Sequence, residues 1–307
     1  VSATPLILAV ALNSMNLIED AQINVGREIE LRNNIVQMKI TELYEKNFAA
    51  MRILAITPAV QEYIQNPSED KRESLEDFLT KTNTMFHDHN SLAIADKYAQ
   101  QLIRTDNLPT VNVSRRSYYY EAMLGREAVS EVITSLTTSR FISVIEVPIF
   151  DNNGKPVGLI QRNYDLSELQ EFVHKLAGEY TQVIILDKNG KLVVHSSHNV
   201  KENDDRIDES RYEFVHKALA GKSGSLRMNF EDEDCFIYYS RNEITNWAVI
   251  TVHPSKYTVM RIYGKAIIAC AFGFLMLIFI IFIAYILTDK ISRPLITLSK
   301  AVLEVAS

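Results

Sequence analysis

The 307-residue chain sets 38 Asp and Glu against 32 Lys and Arg, a formal net charge of −6 with no basic cluster, which excludes the electrostatic footprint of a nucleic-acid binder. Its two cysteines, Cys235 and Cys270, exclude a disulfide-dense secreted scaffold. The length is enough for one large domain or two small ones.

Val1–Leu12 (VSATPLILAVAL) is apolar but only about half as long as a membrane-crossing helix requires. It reads as the outer end of a first transmembrane helix, in residues 1–12. A cleaved secretory signal is the alternative, although the positively charged segment that opens such signals is missing. From Asn16 to Pro58 the sequence predicts one long helix, assigned to residues 13–58. Ile29, Asn33, Val36, Ile40, Leu43, Asn47, Ala50 and Leu54 step along it at four-three spacing. Such a seam serves either a coiled coil, in which Asn33 and Asn47 set register, or packing within the helix's own domain. Pro58 ends or kinks the helix, and a second follows at Glu69–Asn83.

Ser91–Asp96 and Gln100–Thr105 predict a hairpin. Phe141–Phe150 is a β-branched, apolar strand, Asp151-Asn152-Asn153-Gly154 a turn, and Pro156–Tyr164 the partner strand. Asp165-Leu166-Ser167-Glu168 fits a capping box, with Asp165 accepting from first-turn amides and Glu168 reaching back, before a helix to about Leu176. The pattern then repeats in part. Strands at Thr181–Asp187 and Lys191–His195 flank an Asn189-Gly190 turn. A helix spans Tyr212–Ala220, and strands follow at Ser225–Phe230, Cys235–Ser240 and Trp247–His253. The fold class is therefore α+β: a long N-terminal helix carrying two antiparallel-sheet modules, in residues 59–178 and 179–260.

From Ala266 to Thr288 no Asp, Glu, Lys, Arg or His occurs, and the run AIIACAFGFLMLIFIIFIAYILT is apolar on all sides. It predicts a transmembrane helix, with boundaries at 264–288. Two spans would place Asn13–Lys265 on one side of the membrane and Asp289 onward on the other. The flanking cations do not orient it: Lys256, Arg261 and Lys265 precede the span, and Lys290, Arg293 and Lys300 follow.

Catalytic and metal-binding spacings are absent from the sequence. His87-Asp88-His89 and the His195/His198 pair lack a third ligand at useful spacing. Glu231–Asp234 reads as a solvated hairpin tip, without the spacing of a calcium loop. No phosphate loop, nucleophile elbow or Cys–His pair is present. The residues given predict no enzyme and imply no cofactor. The informative segment is Ser114–Arg126, SRRSYYYEAMLGR. An arginine fork can clamp a carboxylate, and neighbouring tyrosines offer flat apolar walls with polar tips. The same composition also suits core tyrosines beside solvent-facing arginines.

The order Arg116-x-Tyr118-Tyr119…Glu121-Ala122…Gly125, then Phe141–Pro148, Asp151–Gly154 and Gly158–Leu169, resembles the membrane-distal lobe of a double Cache (dCache) domain, whose modules are PAS-like. TQVIILDKNGKLVVH, GKSG and NWAVITVHP resemble its membrane-proximal lobe, so the likeness covers about Leu17–Tyr257. The resemblance implies an extracytoplasmic sensor in the bacterial inner membrane, with its ligand in the distal lobe. Lys290-Ile291-Ser292-Arg293-Pro294-Leu295, with Leu298, Val302 and Val305, resembles the start of a HAMP linker in residues 289–307, a cytoplasmic and dimeric module that implies a homodimer.

Amino-acid-binding members of the family carry an Arg-x-Trp-aromatic motif for the ligand carboxylate and a later Asp for its ammonium. By resemblance Arg116 matches the Arg, Tyr118 replaces the Trp and Tyr119 keeps the aromatic. The Asp position falls on Asn163, and an upstream aromatic becomes Val111. In a strand, Gln161 and Asn163 share a face. The implied site is Arg116 for an anionic or acceptor end, Tyr118 and Tyr119 as walls, and Gln161 and Asn163 at the far polar end. An amide cannot neutralise a buried ammonium. A small carboxylate or a neutral polar metabolite such as a nucleobase is therefore favoured over a standard α-amino acid. The expected function is the sensory and transmembrane part of a chemoreceptor of the methyl-accepting type. The alternative is the same sensory half in a histidine kinase or diguanylate cyclase. A membrane-anchored binding protein without output fits the HAMP-like segment poorly.

Overall fold

A computed structural model describes the chain except residues 1–3, 89, 138–140, 198–205 and 288–307, with backbone alone for residues 4–19 and for part of the last helix. By its contacts the chain divides into two compact units. One joins the start of α1, up to Asn24, to the chain from Ser255; the other is Val25–Pro254.

Helix α1 (Thr4–Ala55) runs unbroken for 52 residues. Within Val25–Pro254 its seam is buried: Ile29, Val36, Ile40, Leu43 and Leu54 all lie in the interior, as do Asn33 and Asn47. Helices draw their stability mainly from such tertiary packing, each fully buried aliphatic side chain contributing about 1.5–3 kcal/mol. Asn33 Nδ2 donates to the Val249 carbonyl at 2.9 Å, and its Oδ1 accepts from Ser240 Oγ at 2.5 Å. Between the two readings of the seam, the structure shows packing against the chain's own sheets. Pro58 occupies the first turn of α2 (Pro58–Gln65), where its missing N–H costs nothing, and α3 (Glu69–Thr84) follows.

The distal sheet is antiparallel and contains β1 (Ser91–Asp96), β2 (Gln101–Arg104), β3 (Ala128–Val129), β4 (Ile133–Thr134), β5 (Phe141–Phe150) and β6 (Pro156–Asp165), in the order β2-β1-β6-β5-β3, with β4 also pairing β5. Helix α4 (Ser117–Met123) lies between β2 and β3 in sequence, and α5 (Ser167–Ala177) leads away from β6. The proximal sheet has β7 (Gln182–Leu186), β8 (Leu192–His195), β9 (Gly224–Phe230), β10 (Glu233–Arg241) and β11 (Ala248–Pro254), ordered β8-β7-β11-β10-β9. Helix α6 (Glu213–Leu219) precedes β9. Gly190, in the β7–β8 turn, has a φ of 78°, and a Cβ there would stand 2.9 Å from Ser210 Cβ. Only glycine suits that turn.

One core cluster runs along α1 and takes in the facing side of both sheets, from Leu92, Ile145 and Tyr164 to Val183, Trp247 and Val249. Tyr44 stands at its centre. Its ring meets Trp247 edge-on at 5.5 Å, and its hydroxyl shares a 2.6 Å hydrogen bond with Ser143. Polar ties add to the junction: Gln170 Nε2 donates to the His195 carbonyl at 2.7 Å, and Arg206 bridges Asp187 and the Val132 carbonyl.

The expected capping box does not form: the N-cap of α5 is Leu166, without a side-chain capping bond. Asp165 Oδ1 accepts from the Ser167 N–H at 2.7 Å, but the Asp165 N–H donates to Asn90 Oδ1. Glu168 accepts from the Tyr164 hydroxyl and faces Lys39 at 3.2 Å. Tertiary partners have displaced the local reciprocal bond.

Beyond β11, α7 (Ser255–Leu287) is 33 residues long and contains the uncharged run from Ala266. Among the described residues no helix is long and apolar enough to cross a membrane. Those large apolar side chains of α7 that are described, such as Ile267, Phe274, Leu275, Phe279 and Phe282, stand exposed. The HAMP-like segment 289–307 lies outside the described residues.

Candidate ligand pocket in the distal lobe

Alternation along β5 and β6 turns one set of side chains toward α4 and the other toward α1. On the α4 side stand Ile142, Val144 and Glu146 of β5 with Gln161 and Asn163 of β6. The register pairs Val144 with Asn163 and Glu146 with Gln161. Arg162 faces the other way, fully buried, with its guanidinium 3.5 Å over the Phe86 ring and hydrogen-bonded to Asp88. Helix α4 covers the sheet with Tyr118 and Ala122, both buried one turn apart.

Between this sheet face, α4 and the chain around Ser135–Thr137 lies a narrow, partly open pocket: its empty space is about 280 Å³ with open solvent included, of which about 20 Å³ is available to the centre of a water molecule. Four of the five residues named from the sequence line it: Arg116, Tyr118, Gln161 and Asn163. Tyr119 does not. One helical step of about 100° beyond Tyr118, it points toward the β1–β2 turn, where its hydroxyl donates to the Lys97 carbonyl at 2.7 Å. The role of second wall passes to Val111, Val113, Ile133 and Leu136.

Two cations reach the cavity. Arg104, on β2, is buried and matched: Nε and Nη2 donate to the two Asp106 oxygens at 2.9 and 2.5 Å, and Nη1 donates to Gln101 Oε1 at 3.0 Å. Burial pushes the Asp106 carboxyl up, but the hydrogen bonds and charge of Arg104 outweigh it and hold Asp106 below the usual range. Arg116 sits at the N-cap of α4 in extended conformation, and its Nη2 donates to the Thr134 carbonyl at 3.0 Å. Among the described residues it has no carboxylate partner. It is a half-buried cation at the mouth of a hollow, free to take an anion.

The opposite end is amide-lined. Gln161 Nε2 donates to Asn163 Oδ1 at 3.2 Å, and Asn163 Nδ2 donates to Ser91 Oγ at 3.1 Å. This relay occupies Asn163, and the buried Gln161 amide also meets the Tyr118 hydroxyl. Burial pushes the Tyr118 hydroxyl up to about 12, with the Arg116 charge opposing, so Tyr118 stays neutral as wall and donor.

Sequence reasoning missed Gln101, Arg104, Ser135 and Thr137 as lining residues, and Glu146 beside them. Glu146 had a legible signal, a single carboxylate inside the otherwise apolar strand FISVIEVPIF. Among the described residues no group of three His, Cys, Asp or Glu is placed to hold a metal ion. His89 and His198 lie outside those residues.

The sequence profile of the Cache domain family, in its double form dCache_1, matches residues 13–262. No curated protein sequence matches the chain. Solved structures of similar fold include the sensory domain of the Campylobacter jejuni chemoreceptor Tlp3 with isoleucine bound (TM-score 0.57, 13% identity, 80% of this chain and 97% of that one). The sensor domain of the V. cholerae histidine kinase DctB is similar at a TM-score of 0.58 and 11% identity, over 75% of this chain and 97% of that one. The ligand-binding domain of Mlp24 with asparagine gives 0.53 and 16%, over 82% and 98%. At these identities the likeness is one of fold.

Proposed function

The chain belongs to the double Cache family of ligand-binding sensor domains, and from that premise we propose that it is the sensory and transmembrane part of a bacterial chemoreceptor. The sensor is a non-enzymatic binding fold. Its proposed ligand is a small metabolite bearing a carboxylate, or a neutral polar one such as a nucleobase, in the distal-lobe cavity. The observation that carries this is Arg116, a cation without a carboxylate partner among the described residues, at one end of a hollow that Tyr118 walls and two amides close. Binding of amino acids by Tlp3 and Mlp24 supports a ligand of that size class.

The membrane role rests on the uncharged run Ala266–Thr288 and on the exposed apolar side chains of α7, which water would not favour. In this reading the sensor lies outside the cytoplasm of a bacterial cell, bound to the inner membrane. A HAMP-like segment at 289–307 then couples a homodimer to cytoplasmic signalling partners. A ligand shifts the signalling equilibrium only if it binds the two states unequally. The DctB likeness supports the second reading, a histidine kinase (or cyclase) with the same sensory half. A methyl-accepting hairpin downstream would establish the first reading, a kinase core or GGDEF motif the second.

The test is calorimetric titration of the full chain in detergent micelles against carboxylic acids, nucleobases and amino acids. Binding that Arg116→Ala weakens at least about tenfold is expected, from loss of a partly buried charge pair. Binding indifferent to Arg116 would refute the pocket.

A further inference from the structure

Strand β6 has a hollow on each side. The one that Gln161 and Asn163 face is narrow, and a roomier one lies on the other side, against α1. Its empty space is about 590 Å³ with open solvent included, of which about 210 Å³ is available to the centre of a water molecule. Small-molecule sites commonly measure about 300–1,000 Å³. Lys39, Glu42, Leu43, Lys46 and Asn47 form its α1 wall, spaced as one stripe of a helix. Residues 86–88, between α3 and β1, complete it with Tyr164 at the end of β6 and Glu168 in α5.

The floor of this hollow holds a polar group that packing alone does not explain. Asn47 is 3% exposed, and its Nδ2 donates to the Leu43 carbonyl at 2.6 Å, which identifies the other end of the amide as the oxygen. That oxygen, Oδ1, has no partner among the described residues. A buried acceptor without a donor is costly, and a leucine would fill the same place without that cost. Beside Asn47 stand the rings of Phe86 and Tyr164, while charges of both signs line the rim. Those charges balance. Lys39 Nζ lies 3.2 Å from Glu168 and 3.8 Å from Glu42, and Asp88 is bonded to Arg162, whose guanidinium stacks on Phe86. With Lys46, whose Nζ is 5.9 Å from the Phe86 ring centre, three cations (Lys39, Lys46, Arg162) stand against three carboxylates (Glu42, Asp88, Glu168), His87 apart.

We propose that this hollow is a second ligand site and that its occupant is a neutral polyhydroxylated molecule of monosaccharide size. A hydroxyl both donates and accepts. One hydroxyl gives its hydrogen to Asn47 Oδ1, while its neighbours accept from Lys39 and Lys46 and donate to Glu42 and Glu168. The carbon-bound hydrogens of a sugar ring are slightly positive and suit the negative faces of aromatic rings such as Phe86 and Tyr164. An ionic occupant would leave one charge unbalanced in a partly buried site. Arg116 and the amides of the narrow pocket take no part, so the inference stands apart from the distal-pocket reading.

The experiment is calorimetric titration of the full chain in amine-oxide micelles, whose headgroups bear no sugar, with aldohexoses, aldopentoses, hexitols and inositol. At least one is expected to bind with a Kd of about 1 mM or tighter. Its affinity should stay within about twofold between about 0.05 M and about 0.5 M sodium chloride, as for a neutral ligand. Asn47→Ala should weaken it at least about fivefold and Lys46→Ala at least about threefold, while Arg116→Ala leaves it within about twofold. Lys46 is exposed, so its variant carries the test should Asn47→Ala fail to fold. If no member of the panel binds at that strength, the hollow holds water only and the proposal falls. It falls equally if affinity is indifferent to Lys46, or to Asn47 where that variant folds. A sugar that Arg116→Ala releases would belong to the distal pocket and also overturn the second site. A sugar acid or sugar phosphate that binds more than about tenfold tighter than its neutral parent, with a steep loss in salt, would overturn the neutral class.

Discussion

The two sheets share a plan and differ in what fills the face turned away from α1. In the proximal lobe that face is closed by α6. Phe214, Val215 and Ala218 pack on Ile237, Tyr239, Ile250 and Val252, with Tyr212 stacked on Phe214 and tilted against Phe230 at the edge. In the distal lobe the corresponding ladder positions carry Glu146 opposite Gln161 and Val144 opposite Asn163, where the proximal sheet pairs Ile237 with Val252 and Tyr239 with Ile250. Polar residues replace aliphatic ones and α4 covers a hollow. One architecture thus carries a packed face in one lobe and a hollow in the other.

That contrast can be broken first where the packing is tightest. Phe214→Ala should cost about 3–5 kcal/mol in denaturant unfolding, through lost burial and a cavity beneath α6, with no direct effect on ligand contacts. A small loss would mean the proximal face is not a packed core. Arg116→Ala should do the reverse. Ligand affinity falls by roughly 1.4 kcal/mol or more, while stability changes by no more than about 0.5 kcal/mol, because the side chain is half-exposed and among the described residues bonds the Thr134 carbonyl alone.

Glu146 sharpens the comparison through pH. Because its folded-state carboxyl titrates well above 4.5, the folded state binds the extra proton between that value and the raised one. Stability contributed by this group is therefore greatest at the acid end of the window and is lost as pH rises through it. Glu146→Gln should flatten that fall in thermal melts taken at rising pH from 4.5 upward. A wild-type curve parallel to the variant's would count against a protonated Glu146. The smallest effect belongs to Tyr119→Phe, which removes the hydrogen bond to Lys97. It should cost no more than about 1 kcal/mol and leave ligand affinity unchanged.

Much of this is legible in the sequence. Four-three spacing gave α1, β-branched runs gave the ladders of both sheets, and Asn189-Gly190 gave a turn that glycine geometry explains. Strand alternation correctly put Gln161 and Asn163 on one face and Arg162 on the other. What sequence could not supply was long-range competition for local groups. Glu168 looked like half of a capping box, but Asn90, far off in sequence, takes the Asp165 N–H, and Tyr164 and Lys39 engage Glu168. Tyr119 looked equivalent to Tyr118, and a single helical step separated them. Arg104 and Asp106 were unremarked because their pairing gains meaning only once β2 is laid beside the cavity. The two-residue strands β3 and β4 are too short to carry a periodicity and exist through their pairing with β5.

Hydrogen exchange on the full chain, with and without the tightest-binding metabolite, addresses the contrast between the lobes most directly. Protection confined to peptides from β2, α4 and β5–β6, with β9–β11 unchanged, is the predicted result. Protection centred on β9–β11 and α6 would contradict the placement of the ligand site.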